Sequence, residues 1–456
     1  MPLKYKPYYY FVLCAILFVS FLSCGNDDTT VDQINNDPGP TGFLGEIDWV
    51  KTFGGSNDDV AVSIVQSNDG EYAIVGSTKS TDGDITDKNT SDSDYWLIKL
   101  TPGGEIVWTK TYGGSADDVA TNIKITSDGG YIISGHSRSN DGDVSGNEGS
   151  HDYWVVKINS TGDIQWENNF GFSGVDQAFN VIEIKDGGYF VTGVLDVVAS
   201  GGQGNEGRSG LHDGGVFWGI KLDSNGNSIW KRYFGGAKDD SSQDVIETSD
   251  SGFLLVGFSE SIDGDITDNK GSYDFWVVKI NSNGQKIWAK SFGGSEIDKS
   301  YAVTKTSNGD YIIVGDTRST DQDVTSPLGN ADVWIVRFNE SNGNIIWEKT
   351  YGGTEFESAK SITNLSNGKF LITGNSRSAN GNISNNIGLN DAWIFIIDEN
   401  GNLEYERTVG GTNLDFANQA IETTNDKLII VGNTDSDDVD ILVNKGGKDV
   451  LIIKIK

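Results

Sequence analysis

Aspartates at alternate positions around a glycine are the residues of this chain whose type and spacing come closest to a defined chemistry. The motif S-x-D-G-D occurs as Asp82/Asp84, Asp141/Asp143 and Asp263/Asp265, with variants at Asp321/Asp323 and Asp438/Asp440 and a neutral copy at Asn380/Asn382. This spacing is typical of the start of a calcium loop, since Ca²⁺ takes several oxygen ligands at about 2.3 to 2.6 Å. No copy continues into a full EF-hand pattern, and cations precede some copies, at Lys79, Arg138, Arg318 and Arg377. The motif therefore predicts either a calcium site or an Asp turn neutralised by a nearby cation.

A second acid recurs just after each glycine-rich crossing such as "FGGSNDD". Its seven copies are Asp59, Asp118, Asp176, Asp240, Asp298, Glu357 and Asp415. Seven equivalent placements indicate a structural role. We predict that these carboxylates accept hydrogen bonds from backbone N–H groups where the chain turns.

Histidine is scarce, which limits nitrogen-based metal sites and catalytic triads. The three copies are His136, His151 and His212. His212 lies in the longest irregular stretch, "LDVVASGGQGNEGRSGLHDGGV", which also contains Arg208. We predict a ligand-binding position at Arg208, His212 and His151; the alternative is that these are solvent-exposed loop residues. No residue set reaches a catalytic signature.

Composition excludes several classes of partner. The 456 residues include 34 basic and 66 acidic side chains, a net charge of −32, with no Lys/Arg cluster after the N-terminus. Nucleic acid and anionic lipid surfaces are therefore poor partners, and we expect no nucleic acid to bind. Both cysteines, Cys14 and Cys24, lie in the first 24 residues, so the rest of the chain has no disulfide or thiolate site.

Regular repeats provide the elements that must position these side chains. A glycine of the crossing recurs at Gly54, Gly113, Gly171, Gly235, Gly293, Gly352 and Gly410, with four β-type runs in each interval. In one copy the runs are "VATNIKIT", "GYIISGHS", "DYWVVKI" and "DIQWENNF". Four antiparallel strands repeated seven times predict an all-β, seven-bladed β-propeller over residues 45–456. The twelve tryptophans fall once per third or fourth strand, and we expect them to fill the space between blades, an aromatic ligand platform being the alternative.

The chain opens with "EIDWVKTF", a fourth strand without its unit, and closes with "KDVLIIKIK", a third strand without its successor. We predict that these two strands pair, which completes the last blade and removes two free sheet edges. In such a ring the crossings and the long second-to-third loops share one face, which is the expected binding surface.

The N-terminus reads as a targeting segment. Residues 1–23 carry lysines, an apolar run and a small residue before Cys24, the pattern of a secretory signal peptide. "FLSC" resembles a bacterial lipobox, with Phe21 where Leu is commoner, which implies acylation of Cys24 through a diacylglycerol thioether and an N-acyl chain. Asp27 and Asp28 resemble an acidic export signal, which implies an outer-membrane lipoprotein facing the cell exterior on a flexible tether, residues 24–44. The alternatives are an uncleaved membrane anchor and an ordinary polar linker.

The unit "DYWLIKLTPGGEIVWTKTYGGSADDVATNIKITSDGGYIISG" resembles the secreted bacterial β-propeller repeat and, more distantly, the NHL-type repeat. The resemblance implies that "VATNIKIT"-type strands are innermost and "DIQWENNF"-type strands outermost. We expect a monomeric, non-enzymatic module that binds a protein partner or an extracellular glycan and meets the membrane only through its lipid. The alternative is a glycan-active enzyme, because similar proteins are sometimes grouped with endoglucanases. A quinone-dependent dehydrogenase lacks support, since the vicinal cysteines and basic pocket expected there are missing.

Overall fold

Strands account for nearly all of the regular structure in the computed structural model, which describes residues 43–205 and 214–456. The chain opens with β1 (Ile47–Phe53), and the next twelve strands are β2 (Asp59–Gln66), β3 (Tyr72–Thr78), β4 (Asp94–Leu100), β5 (Ile106–Tyr112), β6 (Asp118–Ile125), β7 (Tyr131–Ser137), β8 (Asp152–Ile158), β9 (Ile164–Phe170), β10 (Gln177–Glu183), β11 (Tyr189–Asp196), β12 (Gly215–Leu222) and β13 (Ser228–Phe234). A single turn of helix, α1 (Val197–Ser200), follows β11. Within the described residues, no helix has the length and apolar character needed to cross a bilayer.

The second half repeats the pattern without helices in its described residues. Its strands are β14 (Asp240–Glu247), β15 (Phe253–Ser259), β16 (Asp274–Ile280), β17 (Lys286–Phe292), β18 (Asp298–Lys305), β19 (Tyr311–Thr317), β20 (Asp332–Phe338), β21 (Ile345–Tyr351), β22 (Glu357–Asn364), β23 (Phe370–Ser376), β24 (Asp391–Ile397), β25 (Leu403–Val409), β26 (Asp415–Glu422), β27 (Leu428–Thr434) and β28 (Asp449–Ile455). All neighbours pair antiparallel, in seven four-stranded sheets. The protein is therefore an all-β, seven-bladed propeller, as predicted.

The ring closes through its first and last strands. β1 pairs with β28 in the sheet order β1-β28-β27-β26, with Val50 opposite Ile453. Beyond the strands, the Leu44 N–H donates to the carbonyl of Lys456 at 2.9 Å, and the Lys456 N–H donates to Glu46 at the same distance. The predicted closure is confirmed, and the last blade gains its fourth strand.

Seven hydrophobic clusters form the core, and each lies between two neighbouring blades. The third-strand tryptophans sit inside these clusters and are essentially inaccessible: Trp96, Trp154, Trp218, Trp276, Trp334 and Trp393. Fourth-strand tryptophans pack across the outer edge, where Trp49 touches Gly104 of the next blade. Gly45, at φ +72°, lies against the ring of Tyr405 as Gly104 lies against Trp49. The chain segment that enters the ring therefore supplies the glycine for the aromatic contact between the last two blades. All twelve tryptophans therefore serve blade packing, as expected.

Antiparallel strands divide the connections between two faces. The "loop face" carries the crossings between blades, such as residues 54–58, and the second-to-third loops, such as residues 79–93. The "turn face" carries tight hairpins such as residues 67–71 and 101–105. First strands, including β2, β6 and β10, contact one another around the axis, while fourth strands form the outer rim, as the repeat resemblance implied.

Candidate functional site

The recurring acids at the start of each first strand hold the crossings in place. Asp59 Oδ2 accepts the Gly55 N–H at 2.6 Å and the Ser80 hydroxyl at 2.8 Å. The same backbone bond recurs in all seven crossings at 2.6 to 2.8 Å, to Asp118, Asp176, Asp240, Asp298, Glu357 and Asp415 in the other six. The predicted structural role is confirmed. These acids are buried, and burial raises the pKa of Asp176 and Asp240 to about 7.

The S-x-D-G-D motif binds the same crossings from the loop side. Asp82 Oδ1 accepts the Ser56 N–H at 2.8 Å, and Asp84 Oδ2 accepts the Gly54 N–H at 3.0 Å. The pairs Asp141/Asp143, Asp263/Asp265, Asp321/Asp323 and Asp438/Asp440 make equivalent bonds at 2.7 to 3.4 Å. Asn380 and Asn382 do the same through amide oxygens, so the clamp does not depend on charge.

The cations that reach this motif differ from those expected. Arg138 lies 3.7 Å from Asp117 instead, and the guanidinium groups of Arg318 and Arg377 lie over the ring of Phe356, so the expectation that the preceding arginines neutralise the motif is wrong. Lysines from other strands and loops approach the second acid: Lys445 at Asp84, Lys270 at Asp323 and Lys286 at Asp265. Across residues 43–205 and 214–456, no cluster of three or more His, Cys, Asp or Glu side chains is arranged to hold a metal ion. Calcium at these loops stays a prediction for experiment.

A third set of carboxylates, at the start of the third strands, lies buried between blades. Asp94, Asp152, Asp274, Asp332, Asp391 and Asp449 each have one oxygen, Oδ1, without a hydrogen-bond partner among the described residues. At Gly113 an added Cβ would lie 2.5 Å from Asp94 Oδ1 and 2.7 Å from Asp118 Oδ2, so glycine is required between the two carboxylates. Burial raises the pKa of Asp94, Asp152, Asp391 and Asp449 to about 6 and that of Asp274 to about 7. These closely placed carboxylates are inaccessible to a glycoside.

Blades are numbered in chain order from blade one (β2–β5), and blade three (β10–β13) departs from the repeat in its second-to-third loop, which contains α1. Asp196 caps α1 by accepting the Ala199 N–H at 3.0 Å, and Ser173 donates to the Ala199 carbonyl at 2.6 Å. The short helix therefore holds this crossing where the aspartate clamp is missing. Phe172, which replaces a glycine, packs against Trp218.

The predicted ligand residues near this blade are only partly described. Arg208 and His212 lie outside the described residues. His151 stands beside His136 on the loop face, with ring centroids 5.4 Å apart, and His136 Nε2 lies 3.3 Å from the Gln177 amide of blade three. Burial, followed by the neighbouring His151, lowers the pKa of His136 to about 4, and burial also lowers that of His151. A ligand role for this pair stays a prediction.

The loop face also exposes a set of large apolar side chains. Among the exposed large apolar side chains of the described residues, nine lie in crossings or long loops: Val175, Val198, Ile262, Leu328, Phe356, Leu389, Val439, Leu442 and Val443. Leu442 is 82% exposed, and with Val443 and Ile106 it lines an apolar groove of about 590 Å³ beside the closing strand. In contrast, every tryptophan in the chain is buried or half-buried.

The central axis contains a second concavity, which the sequence did not predict. It has a volume of about 470 Å³ and is lined by first-strand residues of all seven blades, including Lys124, Lys360 and Asp244. A β-bulge near the third residue of each first strand turns one extra side chain into it. The signal in the sequence was weak, since these positions hold a different residue type in every copy.

Comparisons with known proteins identify no family for this chain. No protein-family model matches the chain, and no curated protein matches it. Among solved structures, Sqt1 from Chaetomium thermophilum has a TM-score of 0.47 at 11% identity, over 90% of this chain and 99% of its own. A fungal alcohol oxidase of the AA5 family in complex with copper has a TM-score of 0.47 at 11% identity, over 90% of this chain and 76% of its own. Quinohemoprotein alcohol dehydrogenase from Comamonas testosteroni has a TM-score of 0.43 at 9% identity, over 90% of this chain and 76% of its own. These likenesses carry no argument about function.

Proposed function

We propose that this protein is a lipid-anchored surface module that binds a protein partner through its loop face. The observation that supports it best is the set of nine exposed apolar side chains on crossings and loops. Exposed apolar groups that cluster on one surface are typical of protein interaction sites. The aspartate clamps fix the backbone beneath these side chains, so the surface is organised before a partner arrives.

A protein fits this surface better than a glycan. The exposed apolar side chains are mainly Val, Ile and Leu, while no tryptophan of the chain is exposed as a stacking platform for sugar rings. The surroundings are acidic, with Asp82, Asp141 and Asp263 beside the crossings. A partner with apolar side chains and a basic rim is complementary to that pattern.

The position where the chain enters the ring agrees with an anchored module. β1 runs from the turn face to the loop face, so Phe43 and Leu44 lie at the turn-face end of the closing blade. A lipid on Cys24 would therefore tether the protein from the end of the strand opposite the binding surface. Several acyl chains on one residue give stable membrane attachment.

Capture from intact cells tests the binding surface. We expect a tagged protein, treated with a membrane-impermeant crosslinker, to yield a specific protein partner, and the substitutions Leu389→Asp and Leu442→Asp to abolish its recovery. Ile287→Asp is the matched control, because Ile287 is 51% exposed but lies on an outer strand away from the loop face. Equal recovery with all three variants, or no partner with the unmodified protein, would contradict the proposal.

Anchoring is tested separately. The protein should incorporate an alkynyl palmitate label and be cut by protease added to whole cells, whereas Cys24→Ser should lose the label. A labelled Cys24→Ser variant, or a protein protected until cells are broken, would exclude the proposed attachment or orientation.

A further inference from the structure

The central cavity differs from the loop face in both shape and chemistry. Each first strand contributes one bulged residue to its wall: Val62, Thr121, Phe179, Gln243, Tyr301, Lys360 and Asn418. At about 470 Å³, the space falls within the range of cavities that hold small molecules. It lies on the ring axis, apart from the apolar surface assigned to a protein partner.

Two lysines in this cavity have no carboxylate within ion-pair distance among the described residues. Lys124 belongs to β6, and Lys360 belongs to β22, where its ammonium group lies 3.7 Å from the centroid of the Tyr301 ring. Asp244 attracts Lys124 and Asp316 attracts Lys360 electrostatically, but neither carboxylate forms a close ion pair with its lysine. Burial lowers the pKa of both lysines. A bound anion would supply the close charge partner that neither lysine has among the described residues.

Among the described residues that line the cavity, Asp244 is the one carboxylate, and it already accepts hydrogen bonds. Asp244 Oδ1 accepts the Val245 N–H at 2.8 Å and the Asn180 side-chain amide, while Oδ2 accepts the Val303 N–H at 2.8 Å. Asp244 therefore ties three blades together across the wall. It attracts the Lys124 ammonium group without forming a close ion pair, so both ammonium groups remain available to a ligand.

Two residues that line the same cavity carry hydrogen-bond acceptors without donors. The side-chain oxygens of Asn122 and Asn180 are buried and have no donor within the described part of the chain, and both residues are only 7% exposed. A buried amide oxygen without a donor is costly, so a small side-chain movement that turns it toward a ligand hydroxyl would be stabilising. Phe179 and Tyr301 supply apolar ring surface in the same cavity.

We propose that the central cavity binds a small polyhydroxylated carboxylic acid, of the sugar-acid class. Its carboxylate pairs with Lys124 or Lys360, its hydroxyl groups donate to Asn122 and Asn180, and its C–H surface packs on Phe179 or Tyr301. The cavity accommodates one such ring. The site is independent of the proposed protein-binding surface, because the residues that form the two do not overlap.

Calorimetry with matched sugars tests the proposal on the purified full chain. Methyl β-D-glucuronoside should bind with one site per chain and at least about tenfold more tightly than methyl β-D-glucoside, which has a hydroxymethyl group in place of the carboxylate, or acetate, which lacks the hydroxyls. Lys124→Met and Lys360→Met should weaken glucuronoside binding at least about tenfold. Lys185→Met, on the exposed turn face, is the control and should bind as the unmodified protein does.

Chemical labelling provides a readout that needs no variant. The glucuronoside should protect Lys124 and Lys360 from reductive methylation, measured by peptide mass spectrometry, and should leave Lys185 fully labelled. Equal affinity for the glucoside, unchanged binding in both lysine variants, absence of glucuronoside binding at millimolar concentration, or no selective protection would each overturn the assignment.

Discussion

Replacing Asp274 by asparagine is expected to remove a measurable part of the pH dependence of stability. The Asp274 carboxyl is fully buried between blades four and five; Oδ2 accepts the Lys270 N–H at 2.6 Å, and Oδ1 has no partner among the described residues. Burial raises its pKa from 3.8 to about 7. The folded protein therefore retains this proton at pH values where the unfolded chain has lost it, and stability falls as pH rises through this window.

The size of the effect follows from the two pKa values. Between about pH 5.5 and about pH 8, a carboxyl with a pKa of 3.8 unfolded and about 7 folded lowers the free energy of unfolding by about 2 kcal/mol. The asparagine introduced at this position cannot titrate, and its amide oxygen can still accept the Lys270 N–H. The variant should thus gain about 2 kcal/mol relative to the unmodified protein over that range. The lower limit of pH is set above the isoelectric point near 4.3.

Urea unfolding followed by tryptophan fluorescence measures this difference. Asp437→Asn is the control, because Asp437 is exposed and its replacement changes the net charge by the same amount. Blade three supplies a precedent, since Val216 occupies the equivalent position without a carboxylate. If the gap in unfolding free energy between Asp274→Asn and the unmodified protein is the same at both pH values, or if Asp437→Asn reproduces it, the raised pKa is refuted.

Three further changes test the closing strand, the clamps and the packing between blades. Deleting residues 44–53 removes the partner of the last strand and should lower the melting temperature by about 10 °C or more, whereas an unchanged value would contradict closure by this strand. The double variant Asp82→Asn/Asp84→Asn should melt within about 2 °C of the unmodified protein, with or without EDTA, because amides already serve in blade six; a calcium-dependent shift lost in the variant would instead support the calcium loop. In denaturant titrations Trp276→Ala should lower the free energy of unfolding by about 3 to 5 kcal/mol, more than the same change at half-buried Trp288. Equal losses in the two variants would count against the third-strand tryptophan as the main packing site.

Features that recur in every unit could be predicted from the sequence. The strands, the buried tryptophans and the closure by β1 each depend on apolar and aromatic residues that return at a fixed interval. The crossing acids were also assigned correctly, because seven copies in one place imply one structural role. Asp59 and its equivalents show that role directly, by accepting a backbone N–H four residues earlier in the chain.

Contacts between units were harder to predict. Arg138 immediately precedes its motif, yet it approaches Asp117, while Lys445 reaches Asp84 from the opposite end of the chain. Sequence proximity therefore selected the wrong cation, because the lysine that reaches Asp84 comes from a loop of the neighbouring blade. The cavity lysines were missed for a related reason. A β-bulge changes which side chain faces the axis, and neither Lys124 nor Lys360 repeats in the other blades.

Repetition and variation have different physical roles in this ring. The repeated residues are buried at the seams or bound to crossings, where a change would affect packing or backbone hydrogen bonds. The positions that vary between copies lie where the ring leaves side chains free: the bulges at the axis, the loop tips and blade three. The scaffold can therefore remain constant while the axial cavity and the loop face diverge independently. Ligand binding on the axis and partner binding on the loop face should then be abolished by different substitutions. The Lys360 variant should weaken ligand binding alone, and the Leu442 variant should weaken partner binding alone.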